Sequence, residues 1–340
     1  MHRILLVRLS SMGDVILTTP LVRALRARHP EAEITYLTRP AFVPLLADHP
    51  AGVKVLTFEP AKESLGSLAS RLRAQAFTHL LDLHGVTRTR LLRILVPGNW
   101  QGYSKRRVAR WMLVHTKRDV YRDQVPEAER FFEAARGLDV SPDGLPAEVG
   151  IGVEAAARGA AWLAEHKLGR RPIAAFAPGA AHFTKRWPEA DWQMLTALLV
   201  AQGYDVAVLT GSDFEGEGRR IAAPGQAHAA ATSGTLGLQA TAAVLRASRI
   251  AVSGDTGLMH LATAVGTRVV ALFGPTVRQF GFFPYQAPSM VLERALGCRP
   301  CSAQGGRECP LEHHDCLRGI SAVSVAQAVL SATAQGATDP

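Results

Sequence analysis

The fold is decided by the stretch that opens the chain, RILLVRLSSMGDVILTTPLVRALRARHPEAEITYL (residues 3–37). It contains an apolar run from Ile4 to Leu9, an amphipathic segment from Asp14 to Arg28, and a second apolar run from Ile34 to Leu37. Short apolar runs rich in Ile, Leu and Val predict buried strands, and the amphipathic segment predicts a helix between them. This unit predicts a mostly parallel sheet with helices on both faces.

The same alternation continues through the rest of the chain. It predicts further strands at Val53–Phe58, Leu80–Leu83, Ile173–Ala177, Asp205–Leu209, Ile250–Ser253 and Arg268–Phe273. It predicts further helices at Ala61–Ala76, Thr87–Leu95, Glu154–His166, Glu189–Ala201, Leu238–Ala247 and Leu258–Val265. We therefore expect an α/β protein with two doubly wound, Rossmann-like domains that face one another across a cleft.

A lapse in this pattern marks the predicted domain boundary. Between Leu138 and Pro172 the alternation stops, and the sequence contains Ser141-Pro142-Asp143-Gly144 and one Ala-rich helix. The sequence thus predicts an N-terminal domain over residues 1–150 and a C-terminal domain over residues 151–340. A length of 340 residues fits this division, because single domains usually have about 100–200 residues.

Composition and charge narrow the class of protein. Apolar residues make up 47% of the chain and charged residues 20%, which excludes a disordered or fibrous protein. The net charge of +9 favours phosphates, nucleic acid or an anionic membrane surface as partners. Because no apolar stretch has the length of a membrane span or a signal peptide, we expect a cytoplasmic protein.

Three polar turns follow predicted strands. The first, Ser10-Ser11-Met12-Gly13-Asp14, precedes a helix, where Asp14 acts on a ligand or caps the helix. The second, Thr184-Lys185-Arg186-Trp187-Pro188, places two cations before a helix, as an anion site or as a solvated basic turn. The third, Ser253-Gly254-Asp255-Thr256-Gly257, permits close backbone approach to a phosphate, unless it is only a capping turn with a buried histidine. Together they predict a nucleotide-diphosphate site.

The motifs in these turns resemble glycosyltransferase family 9, the family of the ADP-heptose:lipopolysaccharide heptosyltransferases. The resemblance rests on RILLVRLSSMGD (residues 3–14), TKRWP (184–188), DTGLMHLATA (255–264) and FGPT (273–276), in that order. It implies the GT-B architecture, with the acceptor in the N-terminal domain and the nucleotide sugar in the C-terminal domain. It also implies inverting transfer of a heptose from ADP-heptose to an acceptor in the lipopolysaccharide inner core.

The resemblance further implies roles for individual residues. Asp14 matches the general base that removes the proton of the acceptor hydroxyl, and Lys185 matches the lysine that neutralises the leaving diphosphate. The residues that match the donor-binding positions are Gly13, Thr184, Glu215, Asp255, Thr256, Gly257 and His260. The assignment of Glu215 is the weakest of these, since Glu217 lies close by in the sequence.

The basic residues of the N-terminal domain are expected to bind the acceptor. We assign this role to Arg88, Arg106 and Arg107, within a cluster that otherwise reads as a solvated face. A phosphorylated, lipid-linked saccharide would use this charge, so we expect peripheral contact with the inner leaflet of the inner membrane. No metal is expected in catalysis, because the sequence contains no Asp-x-Asp pair.

All four cysteines lie in one cysteine-rich loop, residues 298–316. Cys298, Cys301, Cys309 and Cys316 have the residue types of a tetrahedral structural zinc site or of a redox-sensitive clip, and reduced thiols are the alternative. A four-cysteine loop in a basic protein also fits a nucleic-acid-binding module, but aromatic residues make up only 6% of the chain and we expect no nucleic acid. The remaining alternatives are a related GT-B transferase or a nucleotide-sugar epimerase that uses a uridine nucleotide. Transfer to a glycan other than lipopolysaccharide is the alternative for the acceptor.

Overall fold

The computed structural model describes residues 2–232, 234 and 236–335, which form two compact units. The first unit runs to Arg107 and includes residues 125–150, and the second comprises residues 108–124 and the chain from Ile151 onward. Residues 108–124, which the sequence assigned to the N-terminal domain, therefore pack with the second unit. Lys117 Nζ donates to the carbonyls of Cys298 (3.0 Å) and Pro300 (2.6 Å), which holds this segment there.

The first unit is built on a parallel sheet. Its strands are β1 (Arg3–Val7), β2 (Glu33–Thr38), β3 (Lys54–Thr57), β4 (His79–Asp82) and β5 (Trp100–Gly102). They lie in the order β3-β2-β1-β4-β5, and all neighbours are parallel. Leu5, Val7 and Leu80 of the central strands are buried in a core that also contains Leu68 and Leu72.

The second unit is built on another parallel sheet. Its strands are β6 (Ile173–Ala177), β7 (Asp205–Val208), β8 (Ala229–Ala231), β9 (Ile250–Gly254), β10 (Val269–Phe273) and β11 (Ser289–Glu293). They lie in the order β11-β10-β9-β6-β7-β8, with parallel neighbours throughout. Phe176, Trp187 and Trp192 pack in its core. The ring centroids of Phe176 and Trp187 lie 5.1 and 5.0 Å, respectively, from that of Trp192. The expected pair of doubly wound sheets is confirmed.

Helices connect these strands and cover the sheets. They are α1 (Met12–Leu17), α2 (Thr19–Arg28), α3 (Leu65–Arg73), α4 (Thr87–Leu95), α5 (Arg107–Thr116), α6 (Glu127–Arg130), α7 (Val153–Glu165), α8 (Glu189–Ala201), α9 (Glu215–Ala222), α10 (Leu238–Ala247), α11 (Gly257–Ala264), α12 (Asp315–Arg318) and α13 (Ala322–Gln335). Within residues 2–232, 234 and 236–335, none of them has the length and apolar character to cross a membrane.

The single helix predicted over residues 14–28 is two helices that meet at Thr18. The Thr18 hydroxyl donates to the carbonyl of Val15 at 2.6 Å and competes with the helical hydrogen-bond pattern. Pro20 lacks an N–H group, which is compatible with the first turn of a helix but not with its interior. The chain therefore ends α1 and begins α2 at this point.

Three strands were not predicted from the sequence, and each of them lies at an edge of its sheet. These are β5, β8 and β11. An edge strand has a neighbour on one side only, and all three are partly exposed rather than buried. Such strands do not need the continuous apolar run by which the central strands were recognised.

Candidate functional site

The order of strands in the first sheet reverses between β1 and β4, so the two connections leave in opposite directions. In open α/β sheets, ligands bind at the carboxyl ends of the strands beside such a point. Asp14 lies in α1, directly after β1. Its Oδ1 lies 2.7 Å from Nη2 of Arg8, and its Oδ2 accepts from the N–H (3.0 Å) and hydroxyl (2.6 Å) of Ser11.

Arg8 was not singled out from the sequence, yet it holds the ends of β1 and β4 together. Its guanidinium is buried and donates to the carbonyls of Ser10 (2.7 Å) and Leu83 (2.5 Å) as well as to Asp14. Burial by itself would raise the pKa of Asp14, but the charge of Arg8 and the hydrogen bonds from Ser11 hold that pKa below its usual range. Asp14 is therefore ionised at neutral pH, and 15% of its side chain remains exposed.

His84 follows β4 and is a second residue that the sequence reasoning missed. Asp82 Oδ1 accepts from the N–H groups of His84 (3.0 Å) and Gly85 (2.8 Å), which fixes this loop. Burial, Arg8 and Lys105 lower the pKa of His84 to about 3, and burial and Arg8 lower that of Lys105 to about 8. His84 is thus a neutral imidazole, and its position directly after a predicted strand was the signal that could have found it.

The order of strands in the second sheet reverses between β6 and β9. Lys185 follows β6 and Asp255 follows β9, and Lys185 Nζ lies 2.6 Å from Asp255 Oδ2. The Lys185 side chain is 15% exposed and that of Asp255 is 8% exposed. The hydroxyl of Thr276, after β10, donates to the same oxygen of Asp255 at 2.7 Å. The second unit therefore has a cation held in place at the reversal point of its sheet.

The turn after β9 leads directly into α11. Thr256 is the N-cap, Gly257 is the first helical residue, and the Thr256 hydroxyl lies 3.2 Å from the Ser253 hydroxyl. A Cβ at Gly254 would lie 2.9 Å from the carbonyl oxygen of Lys185, so only glycine allows the two turns to approach this closely. The N–H groups at the start of α11 add positive potential beside Lys185 and Asp255. His260 is buried in α11. This burial fits both a donor-binding residue and a histidine that only packs in the core.

The remaining predicted donor residues have different surroundings. Thr184 is buried, and its hydroxyl accepts from the N–H of Gly306 at 2.8 Å. Glu215 begins α9 and forms an ion pair with Arg219. Burial and Glu189 raise the pKa of Glu217 above its usual range. Gly13 lies in α1 of the first unit and is buried.

The predicted acceptor residues lie in the first unit. Arg107 donates to the carbonyl of Gly85 at 2.6 Å, next to His84. Arg106 forms an ion pair with Glu133 at 3.3 Å, and Arg88 is partly exposed in α4. Arg186 is the second cation of the TKRWP turn, and it stacks on Phe214. Its guanidinium carbon lies 4.6 Å from the centroid of the Phe214 ring.

The four cysteines of the cysteine-rich loop are thiols. Burial and the other cysteines raise the pKa of Cys301, and burial and Cys301 raise that of Cys316 to about 11. Cys298 Sγ lies 4.0 Å from His313 Nε2. In the part of the chain that the structure describes, no three His, Cys, Asp or Glu side chains are arranged to hold a metal ion, so the zinc site stays a prediction.

The chain has two doubly wound sheets, with a carboxylate at the reversal point of one and a lysine beside a helix N-terminus at that of the other. This is the architecture of many α/β proteins that bind nucleotides. Comparison with known proteins identifies the family. The model of glycosyltransferase family 9 (heptosyltransferase) matches residues 65–313. The chain belongs to this family and is a glycosyltransferase enzyme.

Two curated relatives match most of the chain. One is lipopolysaccharide heptosyltransferase 1 of Pseudomonas aeruginosa, 29% identical over 313 residues, which are 88% of this chain and 86% of the relative. The other is lipooligosaccharide heptosyltransferase 2 of Haemophilus influenzae, 28% identical over 298 residues, which are 82% of this chain and 84% of the relative.

Solved structures share the fold. A family 9 glycosyltransferase from Veillonella parvula matches with a TM-score of 0.81 and 21% identity, over 98% of both chains. A heptosyltransferase of E. coli solved with ADP matches with a TM-score of 0.70 and 23% identity, over 97% of this chain and 99% of that one. The predicted GT-B fold class is thereby confirmed.

Proposed function

We propose that this protein transfers a heptose from ADP-heptose to an acceptor in the lipopolysaccharide inner core, with inversion at the anomeric carbon. Family membership and the names of the two curated relatives support this activity. The observation that carries the proposal is the contact between Lys185 and Asp255 at the reversal point of the second sheet, beside the start of α11.

In this proposal the second unit binds the nucleotide sugar. The Lys185 ammonium neutralises charge that builds on the leaving diphosphate, and Asp255 holds that ammonium in place. Thr256 and Gly257 present the N-terminus of α11 to the phosphates. Glu215 accepts hydrogen bonds from the ribose, while the buried Thr184 and His260 shape the turns around the donor.

Asp14 removes the proton of the acceptor hydroxyl. As the hydroxyl oxygen bonds to the anomeric carbon on the opposite face, the bond to the diphosphate breaks and ADP leaves with the electron pair. A carboxylate has about four lone-pair positions, and the donors from Arg8 and Ser11 occupy three of them. One position therefore remains for the acceptor hydroxyl, and Asp14 is ionised to receive its proton.

The reaction in this proposal uses no metal, because Lys185 and the start of α11 supply the positive charge at the diphosphate. The four cysteines are reduced thiols that act in the structure of the loop. Stoichiometric zinc or iron in the purified protein would contradict the thiol assignment. Loss of transferase activity to a chelator, restored by a divalent cation, would contradict metal-free catalysis.

The first unit binds the anionic acceptor, with Arg88, Arg106 and Arg107 near the phosphates or carboxylates of the saccharide. The protein works in the cytoplasm at the inner leaflet of the membrane. An exposed apolar side chain beside an arginine supports this location. Ile94 of the first unit is 78% exposed in α4, next to Arg93.

Vesicle co-sedimentation tests the membrane contact. We expect binding to phosphatidylcholine vesicles only when phosphatidylglycerol is included, and weaker binding for Ile94→Glu. Val153→Glu is the matched control, because Val153 is an exposed apolar residue of α7 that is followed by Glu154 and not flanked by an arginine in the sequence. Equal binding to neutral and anionic vesicles would contradict the proposal.

Calorimetric titration with ADP and UDP tests the function. We expect the wild-type protein to bind ADP more tightly than UDP, Lys185→Ala to weaken ADP binding, and Asp14→Asn to bind ADP normally without transferring the sugar. A preference for UDP would indicate another nucleotide-sugar enzyme with the same fold. Binding of neither nucleotide would contradict the proposed function.

A further inference from the structure

The turn after β10, Gly274-Pro275-Thr276, supports the pair of charged residues in the second unit. The Thr276 side chain is buried, and its hydroxyl donates to Asp255 Oδ2 at 2.7 Å. The same oxygen lies 2.6 Å from Lys185 Nζ. One carboxylate oxygen therefore receives both donors, and the Thr276 hydroxyl fixes the direction in which that carboxylate meets the ammonium.

Arg299 holds this turn from the cysteine-rich loop. Its Nε donates to the carbonyl of Gly274 at 2.5 Å, and its Nη2 donates to the carbonyl of Thr276 at 2.8 Å. Its Nη2 also lies 2.7 Å from Glu293 Oε2, at the end of β11. Because the guanidinium donors lie in one rigid plane, these contacts set the position of the turn relative to the sheet.

The same loop also holds the turn that carries Lys185. The N–H of Gly306 donates to the Thr184 hydroxyl at 2.8 Å, and the N–H of Thr184 donates to the carbonyl of Gly306 at 3.2 Å. His314 is buried, and its Nε2 lies 3.0 Å from the carbonyl oxygen of Thr184. Residues 298–316 therefore contact both turns whose side chains meet at Asp255 Oδ2.

We propose that Thr276 and Arg299 are positioning residues for the leaving diphosphate, and that the cysteine-rich loop sets the geometry of the Lys185–Asp255 pair through them. This inference rests on the proposed donor site. Thr276 and Arg299 act through Asp255 and Lys185. Their loss moves the Lys185 ammonium away from the diphosphate and leaves the nucleoside contacts in place.

The first test compares Thr276→Val with Thr276→Ser by titration with ADP and with AMP, which lacks the second phosphate. Valine replaces the hydroxyl by a methyl group, so we expect the Kd for ADP to rise about tenfold, as for loss of a hydrogen bond to a charged group. The Kd for AMP stays the same, and serine restores ADP binding. Thr267→Val is the matched control, because it removes another buried hydroxyl of this unit. The Thr267 hydroxyl donates to the carbonyl of Leu245, and both residues are far from Lys185 in the sequence.

Arg299→Lys gives a second variant if Thr276→Val does not fold. Lysine keeps the charge but lacks the planar set of donors, so ADP binding weakens and AMP binding does not. Arg307→Lys is its control, an exposed arginine of the same loop.

The outcomes separate this inference from the proposed function. If the wild-type protein binds no nucleoside diphosphate, the proposed function fails. If the wild-type protein binds ADP, two results overturn the inference: unchanged ADP binding in the folded variants, or an equal loss of ADP and AMP binding.

Discussion

Asp14 receives three hydrogen-bond donors, and the balance between burial and charge decides its chemistry. Burial favours the protonated acid, whereas Arg8 and Ser11 favour the carboxylate and lower its pKa. Because this pKa is lowered in the folded state, the contribution of Asp14 to stability is complete above the ordinary carboxyl pKa. It is lost as the pH falls through the lowered value.

Replacing Arg8 by methionine removes the charge that lowers this pKa and leaves the burial that raises it. We expect the pKa of Asp14 to rise, so the acid limb of the pH–rate profile moves to higher pH. Unfolding in urea at neutral pH should show a loss of about 3 kcal/mol, since the carboxylate has lost its buried partner.

Arg3→Met is the control for this change. Arg3 pairs with Glu33 where both side chains are about one-third exposed, and such a pair contributes less than about 1 kcal/mol. An Arg8→Met protein with wild-type stability and an unshifted acid limb would show that Arg8 does not set the charge state of Asp14.

The strand ends bring the functional turns together within each unit. In the second unit, β9 ends at Gly254, and the absence of a side chain there lets the turn after β6 pass close to it. The Lys185–Asp255 contact depends on this approach, because both residues lie in the turns concerned. A strand end is thus part of the site although it contributes no side chain.

Gly254→Ala tests this dependence. The new Cβ would lie 2.9 Å from the backbone oxygen of Lys185, and a backbone atom cannot move aside as a flexible side chain can. We expect a loss of about 1–3 kcal/mol in stability and weaker ADP binding, measured by thermal unfolding and calorimetry.

Gly211→Ala is the matched control, because a Cβ at Gly211 would meet nothing within 4 Å. Its stability should change by less than about 0.5 kcal/mol. Normal ADP binding in Gly254→Ala would separate the close approach of the two turns from nucleotide binding.

The chain as a whole has two compact units, each with its own sheet and core. The residues proposed to bind the nucleotide diphosphate through the Lys185–Asp255 pair all lie in the second unit. Ligand binding to the folded form raises its stability by mass action, and the gain grows with the logarithm of ligand concentration.

ADP should therefore raise the unfolding temperature of the second unit. At an ADP concentration about one hundred times the Kd, we expect a shift of about 5–10 °C in differential scanning calorimetry. Lys185→Ala should show a smaller shift at the same ADP concentration. An unfolding profile that does not respond to ADP in the wild-type protein would argue against a nucleotide site in this unit.

The amino-acid sequence was sufficient to locate the central strands and the polar turns that follow them. A buried central strand needs a continuous apolar run, and a helix after it needs a turn with small or polar residues, so both are visible among neighbours in the chain. Ile4 to Leu9 and Ile250 to Ser253 were recognised in this way, and Asp14, Lys185 and Asp255 were placed with them.

The folded chain was needed for the contacts between these turns. Lys185 meets Asp255 because β6 and β9 are neighbours although β7 and β8 lie between them in the sequence, and strand order is set by packing across the sheet. The same holds for Arg8, which joins the ends of β1 and β4, and for Arg299, which reaches the turn after β10 from a distant loop. These partners are far apart in sequence, so no local pattern of apolar and polar residues specifies them, and only the burial of both sheets brings them within hydrogen-bond distance.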